Sequence, residues 1–204
     1  MMYAVRPVVR PAADADRSAV ADVLARAFID DPAMAYLFRD AADRPRRLRK
    51  FFDLIGSADA DAGQWDVAIG PQGAPVATAM WRPPGLWQTP ATAMLRLLPR
   101  LVGAFGLALP RALALQSVME AHHPHTPHWY LQFTGCVPEH QGKGYGGAAI
   151  RARLAQCDAQ GLPAALETAT ESNLGFYQAL GFAIADTYDI KGGPTFWTMW
   201  REPR

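Results

Sequence analysis

WYLQFTGCVPEHQGKGYGGAAIRAR, residues 129 to 153, decides how the rest of the chain is read. Its apolar, aromatic opening, Trp129 to Phe133, matches a buried strand. The run breaks at Thr134-Gly135-Cys136-Val137-Pro138. A glycine-dense loop follows, Gln141-Gly142-Lys143-Gly144-Tyr145-Gly146-Gly147, and then a helix carrying Ile150, Leu154 and Cys157 on one face. A strand, a glycine loop and a helix in that order aim free backbone N–H groups at an anion. Glycines let the backbone come close to phosphate oxygens, and Lys143 adds positive charge. The stretch is therefore a candidate pyrophosphate clamp.

Around it lie 204 residues, half of them hydrophobic and 19% charged, which is enough apolar material for the core of a single domain. The net charge of +1 does not suit a nucleic-acid partner, which favours a clearly basic surface. The basic cluster Arg44, Arg46, Arg47, Arg49 and Lys50 is expected to be a solvated helix face. Cys136 and Cys157 have no metal-type spacing and do not make a disulfide framework, so a reducing cytoplasm fits. No signal peptide is expected from Met1 to Arg10. The most apolar stretch, Leu95 to Leu115, contains Arg96, Pro99, Arg100, Pro110 and Arg111, and no membrane span is expected there.

Patterning along the chain gives an alternation of elements. Val5 to Arg10 is a first strand, and Asp14 to Asp16 signals the start of a helix over Ser18 to Ile29, ended by Asp30-Asp31-Pro32. Met34 to Phe38 is short and helical or irregular. Arg44 to Ile55 is amphipathic, with Leu48, Phe51, Phe52 and Ile55 inward. Gly56 to Gly63 is a loop. Trp65 to Ile69 and Pro75 to Trp81 form an antiparallel hairpin across Gly70-Pro71-Gln72-Gly73. Residues 86 to 120, with prolines at 90, 99 and 110, predict two or three broken helices. An excursion this long between core elements is either a wall of a substrate pocket or extra core and dimer surface. After the central stretch come a strand at Leu162 to Thr168, a helix at Leu174 to Leu180, and a closing hairpin of Phe182 to Ile190 with Thr195 to Trp200. Interleaved strands and helices with hairpins at both ends predict an α/β fold with a mixed sheet.

Gly142, Gly144 and Gly147 satisfy a dinucleotide fingerprint literally. Such a fingerprint belongs to a first strand–turn–helix unit, however, and this loop lies two-thirds of the way along. Gly144-Tyr145 is not followed by the Lys-Ser/Thr of a P-loop. Gln141-Gly142-Lys143-Gly144-Tyr145-Gly146 instead resembles the Q/R-x-x-G-x-G/A signature of the GNAT superfamily of acetyl-CoA-dependent N-acetyltransferases. Residues 171 to 182, ESNLGFYQALGF, resemble that superfamily's second signature, and both lie in the family's order. Val137 to Gly144, Leu166-Glu167-Thr168 and Tyr177 to Phe182 are similar to the layout of the puromycin N-acetyltransferase-like subgroup.

The resemblance implies a GNAT-type mixed, splayed β-sheet flanked by helices, with acetyl-CoA as cosubstrate. It implies that backbone at Thr134, Gly135 and Cys136 lies at the splay and holds the pantetheine arm. Amides of the loop from Gln141 to Gly147 take the pyrophosphate, Asn173 touches the cofactor, and Tyr177 protonates the departing thiolate. Acyl transfer also needs an oxyanion site, for which the N–H groups of Cys136 and Val137 are candidates, and a neutral amine. The motif does not fix the base. Glu139, His140, His122, His123 and His125 are available, and Glu120 and Glu167 rank first. The run His122, His123, His125, His128 lacks an i, i+4 face and contains Pro124 and Pro127, so no metal site is expected. Trp81 and Trp87 flank the Pro83-Pro84-Gly85 bend and are the aromatics expected to contact substrate. A small-molecule primary amine is the expected acceptor, by direct transfer in a ternary complex. A protein or peptide acceptor, or a non-catalytic acyl-CoA sensor, are the rival readings. The apolar helices of 86 to 120 are compatible with a homodimer.

Overall fold

A computed structural model describes residues 7–58, 63–88 and 91–204. Val5, Pro90 and residues 59–62 of the Gly56 to Gly63 loop lie outside them. Among the described residues seven strands make one sheet: β1 (Val8–Pro11), β2 (Gln64–Ile69), β3 (Pro75–Arg82), β4 (Trp129–Cys136), β5 (Ala164–Thr168), β6 (Ala183–Asp189) and β7 (Thr195–Arg201), in the order β1-β2-β3-β4-β5-β7-β6. All neighbours are antiparallel except β4 and β5, which run parallel at the centre. This is the mixed α/β sheet that the interleaved pattern predicts.

Helices cover both faces. On one side lie α1 (Arg17–Ala27), α2 (Pro32–Leu37), α3 (Arg44–Ala58), α4 (Ala91–Phe105) and α5 (Leu109–His122). Their apolar residues form one core with Val67, Met80, Tyr188 and Phe196 of the sheet. On the other side, α6 (Tyr145–Gln160) and α7 (Leu174–Ala179) enclose a second core with Ala68, Ala77, Trp81, Leu131 and Met199. Ile150, Leu154 and Cys157 are buried there as their helical spacing requires.

Two local readings change. Asp31-Pro32 opens a helix rather than only closing one: the Asp31 carboxylate accepts the N–H groups of Ala33 and Met34, both at 3.0 Å, and Pro32 takes the first helical turn. The basic face of α3 is only partly solvated. Arg44 donates to the carbonyls of Phe38 (2.9 Å) and Ile29 (3.1 Å), and Arg47 donates to that of Ala104 (3.1 Å). These arginines tie the α2 region and α4 to α3.

Leu97–His122 is long and apolar enough, by length and composition, to cross a membrane. The chain bends in its middle at Gly106, whose φ of 52° favours glycine, and α4 gives way to α5 through a short 3-10 turn at Gly106–Ala108. Leu101, Phe105, Leu109, Ala112 and Met119 face the cavity beneath, while Leu98, Val102, Leu107 and Leu113 are exposed.

Candidate active site

The site begins with a defect in β4. Met80 of β3 pairs with Phe133 and Trp81 pairs with Leu131, so Gln132 is an extra residue in the ladder. Side chains alternate along a strand, and one inserted residue reverses the alternation beyond it. Trp129 and Leu131 point into the α6 layer. Tyr130, before the bulge, and Phe133, after it, both line the cavity on the other face. The parallel pairing of β4 with β5 covers only Trp129–Leu131 against Ala164–Leu166. Beyond the bulge the two strands part, and the gap between them is the splay.

Backbone groups at this gap are fixed by alternation. The Val137 N–H donates to the Val76 carbonyl at 2.9 Å, so Val137 and Gly135 turn towards β3 while Thr134 and Cys136 turn towards the gap. The Gln141 side chain reaches the Cys136 carbonyl from that side at 3.1 Å. Val137 is thus corrected as an oxyanion donor: its N–H is already bonded, and its side chain is buried with Val23 and Val76. Gly135 is needed for a different reason than an amide. A Cβ there would stand 2.7 Å from the Cβ of Ala27, so only glycine lets α1 pack on the strand.

The glycine loop leads into α6 through Gly144, whose φ of 84° is left-handed, as is that of Gly142 at 71°. No side chain caps the helix, and the first intrahelical bond runs from Ala148 to Gly144. The amides of Tyr145, Gly146 and Gly147 therefore stand at the helix start without intrahelical acceptors, beside the positive end of a dipole. Cβ atoms at Gly142, Gly144 and Gly146 would meet nothing within 4 Å, which leaves the open approach that a diphosphate needs. Lys143 differs from expectation. Its ammonium folds back onto the Glu139 carbonyl at 2.8 Å and is not among the cavity-lining side chains. Arg26 of α1, ion-paired with Glu139, brings positive charge to the cavity wall instead.

Tyr177 is buried and lines the same cavity, with Asn173 and Phe176 beside it. Burial, and then the negative charge of Asp31, push its phenol well above the ordinary tyrosine range. The phenol therefore stays protonated at any physiological pH, as a proton donor must. Asp31 also accepts the Thr170 hydroxyl at 3.0 Å, so the carboxylate that starts α2 also fastens the turn before α7. Burial raises the carboxyl above the usual range. Neither Asp31 nor Thr170 was marked by sequence, although Asp-Pro before an apolar run is itself a helix-start signal.

The cavity encloses about 1010 Å³ and runs from the glycine loop past the splay to α4 and α5. Its far part is apolar, with Met34, Phe51, Leu54, Leu101, Phe105 and Met119 among its walls. Within it lies a polar cluster around Glu167. The Glu167 side chain, 2% exposed, accepts the hydroxyls of Tyr130 (2.8 Å) and Tyr188 (3.1 Å). His123 Nδ1 lies 3.6 Å from it, and the ring stacks on Trp87 with centroids 3.9 Å apart. Burial, followed by the charge of Glu167, raises both tyrosines, so each remains a donor to the carboxylate. Glu120 also lines the cavity, half-buried, and holds the Gln116 side chain at 2.8 Å. Glu120, Glu167 and Trp87 are thus brought together. Trp81 is not: it is fully buried against α6, because alternation turns it away from Met80 and Arg82. His122 binds Asp186 at 2.7 Å and stacks on Tyr188, which anchors the end of α5 to β6.

A splayed parallel pair, a glycine-led helix start and a buried tyrosine thus line one cavity. The chain belongs to the acetyltransferase (GNAT) family, whose model matches residues 71–182. Among solved structures it is similar to histone acetyltransferase HPA2 and related acetyltransferase from Corynebacterium glutamicum, at 28% identity over 97% of each chain and a TM-score of 0.72. It shares its fold with arylalkylamine N-acetyltransferase 2 from Aedes aegypti (10% identity, 98% of this chain and 100% of that one, TM-score 0.65). The same holds for the ribosomal-protein-S18-alanine N-acetyltransferase from Escherichia coli (13% identity, 96% and 93%, TM-score 0.56). These neighbours include both small-molecule and protein acetyltransferases.

Proposed function

We propose that the protein transfers the acetyl group of acetyl-CoA to the primary amine of a small, largely apolar molecule, directly within a ternary complex. The observation that carries the reading is the acceptor end of the cavity. It is walled by α3, α4 and α5 with Phe51, Leu54, Leu101, Phe105 and Met119, a concave and largely apolar lining of the kind that holds small ligands. A peptide acceptor calls for a groove with free backbone partners along its length; these walls offer apolar side chains instead.

Acetyl-CoA supplies an activated acyl carbon. The chain supplies the rest. The amides of Tyr145, Gly146 and Gly147, with the turn at Gly142 and Gly144, suit the diphosphate. The gap-facing backbone of Thr134 and Cys136 suits the pantetheine arm, and the Cys136 N–H is the candidate donor to the carbonyl oxygen. Tyr177 holds its proton for the leaving thiolate. Thiol release from acetyl-CoA, measured across hydrophobic monoamines, polyamines and free-N-terminal peptides, tests the proposal. Hydrophobic monoamines are expected to have the highest kcat/KM. Faster turnover of the peptides would transfer the acceptor end to protein substrates, and thiol release unchanged by any amine would leave only a sensor.

A further inference from the structure

The polar cluster beneath the apolar walls of α3, α4 and α5 calls for a function. Packing a carboxylate, two imidazoles and two phenols beneath apolar walls costs free energy, because each must be desolvated. Most of these atoms are satisfied: Glu167 by Tyr130 and Tyr188, and His128 Nδ1 by the Thr126 carbonyl at 2.6 Å. Two atoms of the cluster are not: among the described residues the Nε2 atoms of both His128 and His123 are buried without a hydrogen-bond partner, and of the two rings it is His123 that lines the cavity. It is 4% exposed, its Nδ1 faces Glu167, and its Nε2 is buried with no hydrogen-bond partner.

We propose that this cluster is the acceptor-amine subsite, and that His123 Nε2 takes the proton that must leave the ammonium before it can attack. This deepens the acetyltransferase reading above and rests on it. Glu167 acts through His123 as a positioning residue. At 3.6 Å from Nδ1, beyond hydrogen-bond length, its negative charge favours the tautomer with the proton on Nδ1 and Nε2 as the acceptor, and stabilises the imidazolium once formed. Tyr130 and Tyr188 hold the carboxylate, and the Trp87 face opposite the ring favours the cationic form. The other ionisable groups around the imidazole are His128 before β4, Arg82 of β3, and Glu120 and His122 on its own helix.

The alkylammonium gives one proton to His123. The amine lone pair attacks the thioester carbon, the C–N bond forms, and the C–S bond breaks with its electron pair passing to sulfur. Sulfur takes the Tyr177 proton, the second proton lost by nitrogen restores the phenol, and the His123 proton leaves to solvent. Ammonium and thioester become amide, thiol and one proton.

The test uses two isosteric acceptors, phenethylamine, which is protonated at pH 7, and O-benzylhydroxylamine, which is already neutral there. For His123→Gln, kcat/KM for phenethylamine is expected to fall about 100-fold or more, while that for O-benzylhydroxylamine falls less than about 5-fold. The acid limb of the native pH profile for phenethylamine is expected to disappear in the variant. Glu167→Gln should lower phenethylamine turnover by about tenfold and keep an acid limb at a shifted midpoint. Calorimetric CoA affinity within about threefold of native shows that the variants are folded. Equal losses on both acceptors, or an acid limb that persists unchanged in His123→Gln, overturn the assignment. No thiol release by the native protein with either acceptor overturns the hydrophobic-monoamine reading, and the assignment with it.

Discussion

The two ends of one cavity are built in opposite ways. The end proposed to hold the cofactor comes almost entirely from two short segments, Thr134 to Gly147 and Asn173 to Tyr177, and offers mainly backbone: amides at the start of α6 and gap-facing groups at the splay. The acceptor end collects single side chains from α2, α3, α4, α5, β3, β4 and β5 and offers almost no backbone. Backbone chemistry is the same for every residue, so what must be specified is conformation. Glycines at left-handed φ, together with a strand break, specify it within a few positions. Side-chain chemistry specifies a ligand, and its parts can come from anywhere that the sheet brings together.

That difference predicts separable phenotypes. Tyr177 sits where the ends meet, and its loss should be the largest effect on turnover. Tyr177→Phe is expected to lower kcat by about 10²-fold or more, with CoA affinity within about threefold of native, because only the proton donor is removed. Pre-steady-state thiol release and CoA calorimetry read the two quantities. An equal loss of CoA affinity would mean that the hydroxyl serves binding rather than proton transfer.

Gly144→Val probes the cofactor end alone. A Cβ at this position would meet no neighbour, so the penalty lies in the backbone, where φ of 84° costs a side-chain-bearing residue about 1–2 kcal/mol and a β-branched one more. The loop is expected to relax away from the start of α6 and to weaken CoA binding by about tenfold or more, with the amine KM little changed. Met119→Ala is the converse at the acceptor end. Half-buried on the cavity wall, it should raise the KM of a hydrophobic amine by about three- to tenfold through lost apolar contact, with the CoA dissociation constant unmoved. If either variant shifts both ligands alike, the ends are not independent.

The same contrast explains what could be read beforehand. The glycine loop at the start of α6 is one short segment and Asn173 with Tyr177 another, and both lie on the elements that the sequence predicts, whereas β4 runs on to Cys136 where the sequence predicts a break after Phe133. The acceptor end resisted. Trp81 looked like a pocket aromatic from its place beside the Pro-Pro-Gly bend, but strand alternation, visible only once β3 is paired, buries it on the far face. The extra residue at Gln132 leaves no local mark, yet it decides that Tyr130 and Phe133 share a face. Val137 was a reasonable oxyanion donor until pairing with β3 engaged its N–H. His123 was one histidine among several, and only its burial against Glu167 and Trp87 singles it out. Asp31 carried a usable signal, Asp before Pro, but the helix that it ends drew attention from the one that it begins.

Cys136 gives the smallest effect and the sharpest check on the claim that the splay works through backbone. A thiol this close to an acyl donor suggests a covalent relay. Its surroundings argue otherwise. Burial pushes the thiol up to about 11, against which nearby Lys143 acts only weakly. The thiolate is the nucleophile, and with the pKa raised to about 11 it makes up about one part in a thousand at pH 8. Raising the pH should therefore speed alkylation of Cys136 by iodoacetamide, with a midpoint about 11, whereas an unperturbed cysteine saturates two units lower. Labelling followed by mass spectrometry of the Cys136 peptide reads the rate. A labelling midpoint near neutrality, or an acetyl group trapped on that peptide after acid quench during turnover, would assign chemistry to the side chain and end the division between backbone at one end of the cavity and side chains at the other.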